Sequence, residues 1–235
     1  MALVGRRRDK GEQVAASIQD LGGKAIYVEA DISDSKSVER MAKICMEKFA
    51  GRVSILVNNA GISSSNAPLE YVTEENWNRV MDTNARGTFL CTKAVIPYMM
   101  KSEGGSVINV SSSGGLRGYV GGTAYAASKA AVIMLTRILA LEHGKDKIRA
   151  NCICPGSTLT EMFDEGIRNF VKRSSRQGGT ISAEQIMANI ARGIPLGRIG
   201  TPREVTNLAL FLSSEEASYI NGAIIICDGG QSAGF

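Results

Sequence analysis

Tyr125 and Lys129 stand four residues apart in "TAYAASKAA". On a helix, that spacing puts both side chains on one face. A lone tyrosine, with a pKa near ~10, is a poor base at neutral pH. A nearby ammonium stabilises the phenolate, and a lowering of about three units corresponds to about 4 kcal/mol. Such a tyrosine exchanges protons near neutrality. The same spacing also arises on helices as a plain surface pair, so the neighbouring segments decide. Upstream, "SVINVSSSGG" is an apolar stretch that ends in hydroxyls and glycines, and its Ser112 lies thirteen residues before Tyr125. Earlier still, "SILVNNAG" ends in Asn58, Asn59, Ala60 and Gly61. Those small residues suit either an ordinary turn or close backbone approach by a ligand.

Other chemistries find less support. His143 is the sole histidine among 235 residues. This excludes an H-E-x-x-H zinc site and argues against a Ser-His-Asp triad. Five cysteines (Cys45, Cys91, Cys152, Cys154, Cys227) are scattered and odd in number. They point to reduced thiols and a cytoplasmic setting. Cys152 and Cys154 suit two positions on one face of a buried strand, with metal ligation as the alternative. A net charge of +4 is spread along the chain rather than gathered into a nucleic-acid-binding stripe. No apolar run approaches the ~18 residues of a membrane span, and "MALVG" is too short for a signal-peptide core of roughly 7–15 residues.

The elements that must position these residues follow from periodicity. Strands are expected at Ala2–Val4, Ala25–Glu29, Ser54–Asn58, Ser106–Val110, Arg149–Ile153 and Ala223–Cys227. Several are apolar throughout, as strands buried on both faces are. Helices are expected over Lys10–Leu21, Lys36–Phe49, Glu74–Met100 with a break near Asn84, Ala124–His143, and Pro202–Leu212 behind a Thr201 cap. The alternation implies an α/β domain of three layers, α/β/α, with a doubly wound parallel sheet. Residues Leu159–Ile194 interrupt it with helical pattern and no strand, as an insertion over a site does. Its Arg168, Lys172, Arg173 and Arg176 suit either a solvated face or anion binding.

The motifs "NNAG", "NVSSS", "YAASK", "NCICPG" and "CDGG" resemble, in order and spacing, those of the short-chain dehydrogenase/reductases. The resemblance runs from Ala2 to about Gly230. It implies a Rossmann-like fold and hydride transfer between a nicotinamide cofactor and a carbonyl/alcohol substrate. The matching catalytic set is Asn84, Ser112, Tyr125 and Lys129. Tyr125 would be the acid/base, Ser112 would orient the substrate oxygen, and Lys129 would lower the Tyr125 pKa and hold the nicotinamide ribose. Asn84 would position a relay water. For the cofactor, the resemblance implies Asp31 and Ile32 at the adenine, and Asn58, Ala60 and Gly61 at the adenosine ribose and sheet. Pro155, Gly156, Thr158 and Thr160 match the loop that holds the carboxamide and a phosphate. Thr158 replaces the family's usual valine or isoleucine, and its backbone N–H serves equally. The C-terminal segment favours the single-domain branch over the sugar-nucleotide epimerases, and the direct Y-A-A-S-K spacing speaks against the enoyl-reductase branch. Related chains commonly assemble as tetramers or dimers through the Glu74–Met100 and Ala124–His143 helices.

One departure is large. The family's first strand and its T-G-x-x-x-G-x-G turn have no counterpart, and "ALVGRR" matches the family's second strand. The sequence therefore reads as an N-terminally truncated gene model with Met1 a misplaced start. Each buried backbone group left unpaired by that loss costs roughly 1–3 kcal/mol, against a total stability of about 5–15 kcal/mol. Where NAD-dependent members carry an acidic residue, this chain has Gly5 followed by Arg6 and Arg7. Arginines there suit a 2′-phosphate, so NADP(H) is expected before NAD(H). The alternative is a non-catalytic Rossmann-like protein that has lost dinucleotide binding.

Overall fold

The computed structural model describes residues 1–65, 67–176 and 179–234, without the side chains of Arg173 and Arg176. Six strands alternate with eight α-helices among the described residues. In chain order they are β1 (Ala2–Gly5), α1 (Arg8–Asp20), β2 (Ile26–Glu29), α2 (Ser35–Lys48), β3 (Ile55–Asn58), α3 (Glu74–Met81), α4 (Gly87–Lys101) and β4 (Gly105–Val110). Then follow α5 (Thr123–His143), β5 (Ile148–Pro155), α6 (Glu161–Arg176), α7 (Ala183–Arg192), α8 (Pro202–Ser213) and β6 (Ile224–Cys227). All six expected strands form, each within two residues of its expected ends at either side.

All strand pairs are parallel, but they make two sheets. β3, β4, β5 and β6 lie side by side in that order, with Val57 opposite Ile108 and Ile108 opposite Asn151. β1 pairs with β2 alone, Val4 opposite Val28. Alternation along β4 builds the layers. Val107 joins Val95, Ile96 and Met99 of α4 and Leu139 of α5 on one face. Ile108 joins Ile153 and Leu212 of α8 on the other. A further cluster around Val38, Met41 and Cys45 of α2 includes Ala2 and Ile26 of the small sheet and Cys91 and Leu90 of α4. It ties the two sheets together through helices rather than strands.

Local chemistry explains several boundaries. Asp34 caps α2, its carboxylate accepting from the Lys36 and Ser37 N–H groups. Glu204 Oε2 accepts from the Thr201 N–H at 2.8 Å and hydroxyl at 2.9 Å, with Pro202 as the first residue of α8. The break expected near Asn84 is a π-helical turn, Asp82–Arg86, joining α3 to α4. Such turns bulge one residue out of the helical ladder. One expectation is corrected. The stretch Thr123–Asp146 is long and apolar enough to cross a membrane by length and composition. In the fold one face of α5, with Ala124, Val132, Ile133, Leu139 and Ala140, is buried, while Met134, Ile138 and Leu141 are exposed.

Candidate active site

Ser112, Tyr125, Lys129 and Asn84 come together at the carboxyl end of β4. β4 runs into Ser111 and Ser112, whose Oγ accepts from the Gly114 N–H at 3.1 Å. The Tyr125 phenol lies close enough to Ser112 for its hydroxyl to favour the ionised form. Lys129, one turn along α5, is 4 % exposed, and its Nζ donates to the Val110 carbonyl at 2.8 Å. Nζ lies 5.8 Å from the Tyr125 ring centre. Ser111 Oγ donates to the Lys129 carbonyl at 2.7 Å, so β4 grips α5 at the lysine itself.

The electrostatics differ from the sequence expectation. Burial raises the Tyr125 phenol above its ordinary value, and the Ser112 hydroxyl opposes it. The lowering expected from Lys129 is not what dominates. Burial also disfavours the Lys129 ammonium and brings it down to about 8, with Cys152 and Cys154 acting in the opposite sense. A buried cation 5.8 Å from a ring centre therefore leaves the phenol in its protonated form at neutral pH.

Asn84 is fully buried in the π-helical turn. Its Oδ1 accepts from the Ile62 N–H at 2.8 Å, and its Nδ2 donates to the Ile62 carbonyl at 2.9 Å and to Ser128 Oγ at 3.0 Å. Ser128 Oγ in turn donates to the Tyr125 carbonyl at 2.7 Å. The Asn84 side chain is thus committed to protein, and its backbone carbonyl accepts from Thr88 Oγ1 at 2.8 Å. Ser128 is the residue that sequence reasoning passed over, although it sits inside the quoted "YAASK".

The expected cofactor residues fall into two groups. At the end of β3, Asn58 Nδ2 donates to Asn109 Oδ1 at 2.8 Å and to Thr92 Oγ1 at 3.0 Å, and Asn109 donates on to Thr136 at 2.9 Å. Asn58 is therefore a sheet-to-helix tie. Ala60 and Gly61 follow it. A Cβ at Gly61 would stand 3.2 Å from Asn84 Oδ1 and 3.3 Å from Lys129 Nζ. Across the sheet, a Cβ at Gly156 would meet Asp228 Cβ at 2.5 Å. Gly156 is thus forced by the approach of Pro155 at the end of β5 to the end of β6. Thr158 Oγ1 donates to the Gly156 carbonyl at 3.1 Å. Thr160 Oγ1 accepts from the Phe163 N–H at 3.2 Å, the first turn of α6.

The second group lies on the small sheet. Arg6, Glu29, Ala30, Asp31, Asp34, Ser37 and Arg40 line an open cleft of about 480 Å³. Asp31 accepts from the Ser33 N–H at 2.9 Å and hydroxyl at 2.6 Å, which lower its carboxyl, and Arg6 stands 3.5 Å away. Ile32 turns instead to α4, where a Cβ at Gly87 would meet it at 2.7 Å. Arg7 does not face this cleft's carboxylates. Its guanidinium donates to Glu161 at 2.8 Å. Arg168 and Lys172 of the insertion are exposed. Arg173 and Arg176 lie outside the described side chains. Cys152 and Cys154 are fully buried on β5 beside Ile133.

This is the architecture of a nicotinamide-dependent oxidoreductase, with the candidate side chains at the carboxyl end of a parallel sheet. A family model described as enoyl-(acyl carrier protein) reductase matches residues 1–232. The chain is 35% identical over 231 residues to the 3-oxoacyl-(acyl-carrier-protein) reductase FabG of Chlamydia muridarum, covering 98% of this chain and 86% of that one. It is 36% identical over 233 residues to the meso-2,3-butanediol dehydrogenase of Serratia marcescens, covering 99% and 84%. Among solved structures, levodione reductase superposes with a TM-score of 0.90 at 33% identity, covering 100% and 88%. A gluconate 5-dehydrogenase from Burkholderia cenocepacia, in complex with NADP and tartrate, does so at 0.86 and 28%, covering 99% and 85%. The chain belongs to the short-chain dehydrogenase/reductases. It is an NAD(P)-dependent enzyme that moves a hydride between a nicotinamide and a carbonyl/alcohol substrate.

Proposed function

We propose that the protein interconverts a small-molecule ketone or aldehyde and its alcohol with NADP(H) in preference to NAD(H), using Tyr125 for the proton. The observation that carries this reading is Tyr125 beside Ser112 at the end of β4, with Lys129 one helical turn away and buried. The nicotinamide, when bound, supplies or receives the hydride. Tyr125, held protonated by burial, gives its proton to the carbonyl oxygen in reduction and recovers it in oxidation. Ser112 donates a hydrogen bond to that oxygen and fixes its place between the two hydroxyls. Lys129 spends one N–H on Val110 and keeps two donors for the ribose. Asn84 acts as a positioning residue, through Ile62 and through Ser128 onto the Tyr125 carbonyl.

Several features support the finer parts of this reading. Gly61 lets the end of β3 close on Asn84 and Lys129, and Gly156 lets the end of β5 close on Asp228, which keeps both loops against the site. Arg6 and Arg7 favour a 2′-phosphate over a free hydroxyl. The unpaired edge of β3 supports the reading that one further parallel strand completes the sheet and brings the phosphate-binding turn. Residues 159–194, as α6 and α7, supply the substrate cover of a single domain. Phe89, Met134, Ile138 and Leu141 are exposed on α4 and α5, which supports a homo-oligomer through those helices. The five free thiols support a cytoplasmic setting. A fluorescence titration with NADPH and NADH, followed by a ketone and alcohol panel with wild type and Y125F, tests the reading. NADPH binding with turnover that Y125F abolishes is expected. Absence of nucleotide binding would favour the non-catalytic alternative.

A further inference from the structure

Glu161, the first residue of α6, bridges two cations that lie more than 150 positions away in the sequence. Its Oε2 accepts from Arg7 at 2.8 Å, and its Oε1 from Lys10. Arg7 precedes α1 and Lys10 stands in its first turn. The contact therefore joins the loop that follows β1 to the loop that follows β5. These are the two loops assigned above to the adenosine and nicotinamide ends of the cofactor. A carboxylate shared by two cations occupies the place and the charge of a bound phosphate oxygen pair. All three side chains are exposed, so a soluble anion can reach the cations.

We propose that Glu161 is an internal competitor for a 2′-phosphate subsite formed by Arg7 and Lys10, and that a phosphorylated nucleotide releases the start of α6 by displacing it. This rests on the NADP(H) reading given above. It adds Lys10 as a phosphate ligand and Glu161 as the residue that sets how strongly the 2′-phosphate counts. The two cations hold the Glu161 carboxyl down to about 2, so it is an anion throughout the working pH range and acidification does not release it. A dinucleotide lacking the 2′-phosphate has no group to exchange with the carboxylate. It must bind with the clasp closed.

The test compares adenosine 2′,5′-bisphosphate with adenosine 5′-monophosphate by calorimetric titration of wild type, E161Q and R7Q, the full chain in each case. The bisphosphate is expected to bind wild type more tightly, and R7Q to erase that advantage. E161Q is expected to enlarge the advantage by about threefold to fivefold, the size of one exposed charge pair, with the monophosphate unchanged. Amide exchange over the first turn of α6 should speed up in wild type with the bisphosphate only. If R7Q erases the advantage but E161Q leaves it and the exchange rates alone, the competitor proposal is overturned and the cofactor reading stands. If wild type and R7Q bind both nucleotides equally, the cofactor reading fails and the competitor proposal falls with it.

Discussion

The four-stranded sheet and the two-stranded sheet hold the two ends of the proposed site by different physics. In the larger one, β4 and β5 are buried on both faces, and Val107, Ile108 and Ile153 have no exposed surface. Its polar groups are locked into shared networks, Asn58–Asn109–Thr136 and Asn84–Ser128–Tyr125. In the smaller one, Val4 is 38% exposed; the outer strand β3 of the larger sheet is open as well, with Ile55 and Val57 each 47% exposed. The chemistry of the smaller sheet rests on surface ion pairs, Arg6–Asp31 and Arg7–Glu161. Buried networks fix geometry because an unmet polar group there is costly. Exposed pairs are individually weak and exchange partners readily. The contrast suits the two proposed tasks, since proton transfer needs fixed atoms and anion recognition needs accessible charge.

The largest expected effect sits at the rigid end. Y125F should lower kcat by about 10²–10⁴-fold while nucleotide titration and circular dichroism stay as in wild type. An unchanged kcat would remove Tyr125 from the proton path. The same contrast can be broken by charge insertion. V107D should abolish the cooperative thermal transition, because its carboxylate enters a core with no partner, at about 3–5 kcal/mol. V57D should shift stability by no more than about 0.5 kcal/mol. Equal losses would show that the β3 face is covered in solution.

Next in size is N84A, which strands the Ile62 N–H and carbonyl and Ser128. It should lower unfolding free energy by about 1–3 kcal/mol in denaturant titration. It should also lower kcat more than it raises the nucleotide KM. The pH dependence follows from Lys129. Its ammonium, brought down to about 8, is present at pH 7 and is lost as pH rises through that value. Nucleotide affinity should weaken above about pH 8, and K129M should flatten that limb. The smallest effect is R6Q. With Arg6 exposed at its Asp31 contact, stability should change by less than about 0.5 kcal/mol.

Much of this was legible because local pattern carries it. Apolar runs such as "SVINV" read as buried strands, and the structure places their alternate residues against α4 and α8. The break near Asn84 was visible as well, although its π-helical form was not. Three features were not legible. The direction of the Tyr125 shift depends on how much water burial removes, which no spacing reports. The role of Ser128 depends on Asn84, 44 residues away, arriving within 3.0 Å. The Glu161 contact depends on two helix starts that meet only in the folded chain.

The sequence by itself determined the layered α/β class and the family, and it singled out Asn84, Ser112, Tyr125 and Lys129 as candidates. The class follows from periodicities of two and four, which act over a few neighbouring residues, and the family and the candidates from the resemblance of five short motifs. Tertiary structure alone decided that the strands form two sheets rather than one. It also decided that Asn58 is a sheet-to-helix tie, that burial outweighs Lys129 at Tyr125, and that Glu161 lies on the cations expected to meet a phosphate. Each of these turns on distance and solvent exposure between segments far apart in the chain, and the electrostatic energy of a group is set by those two quantities.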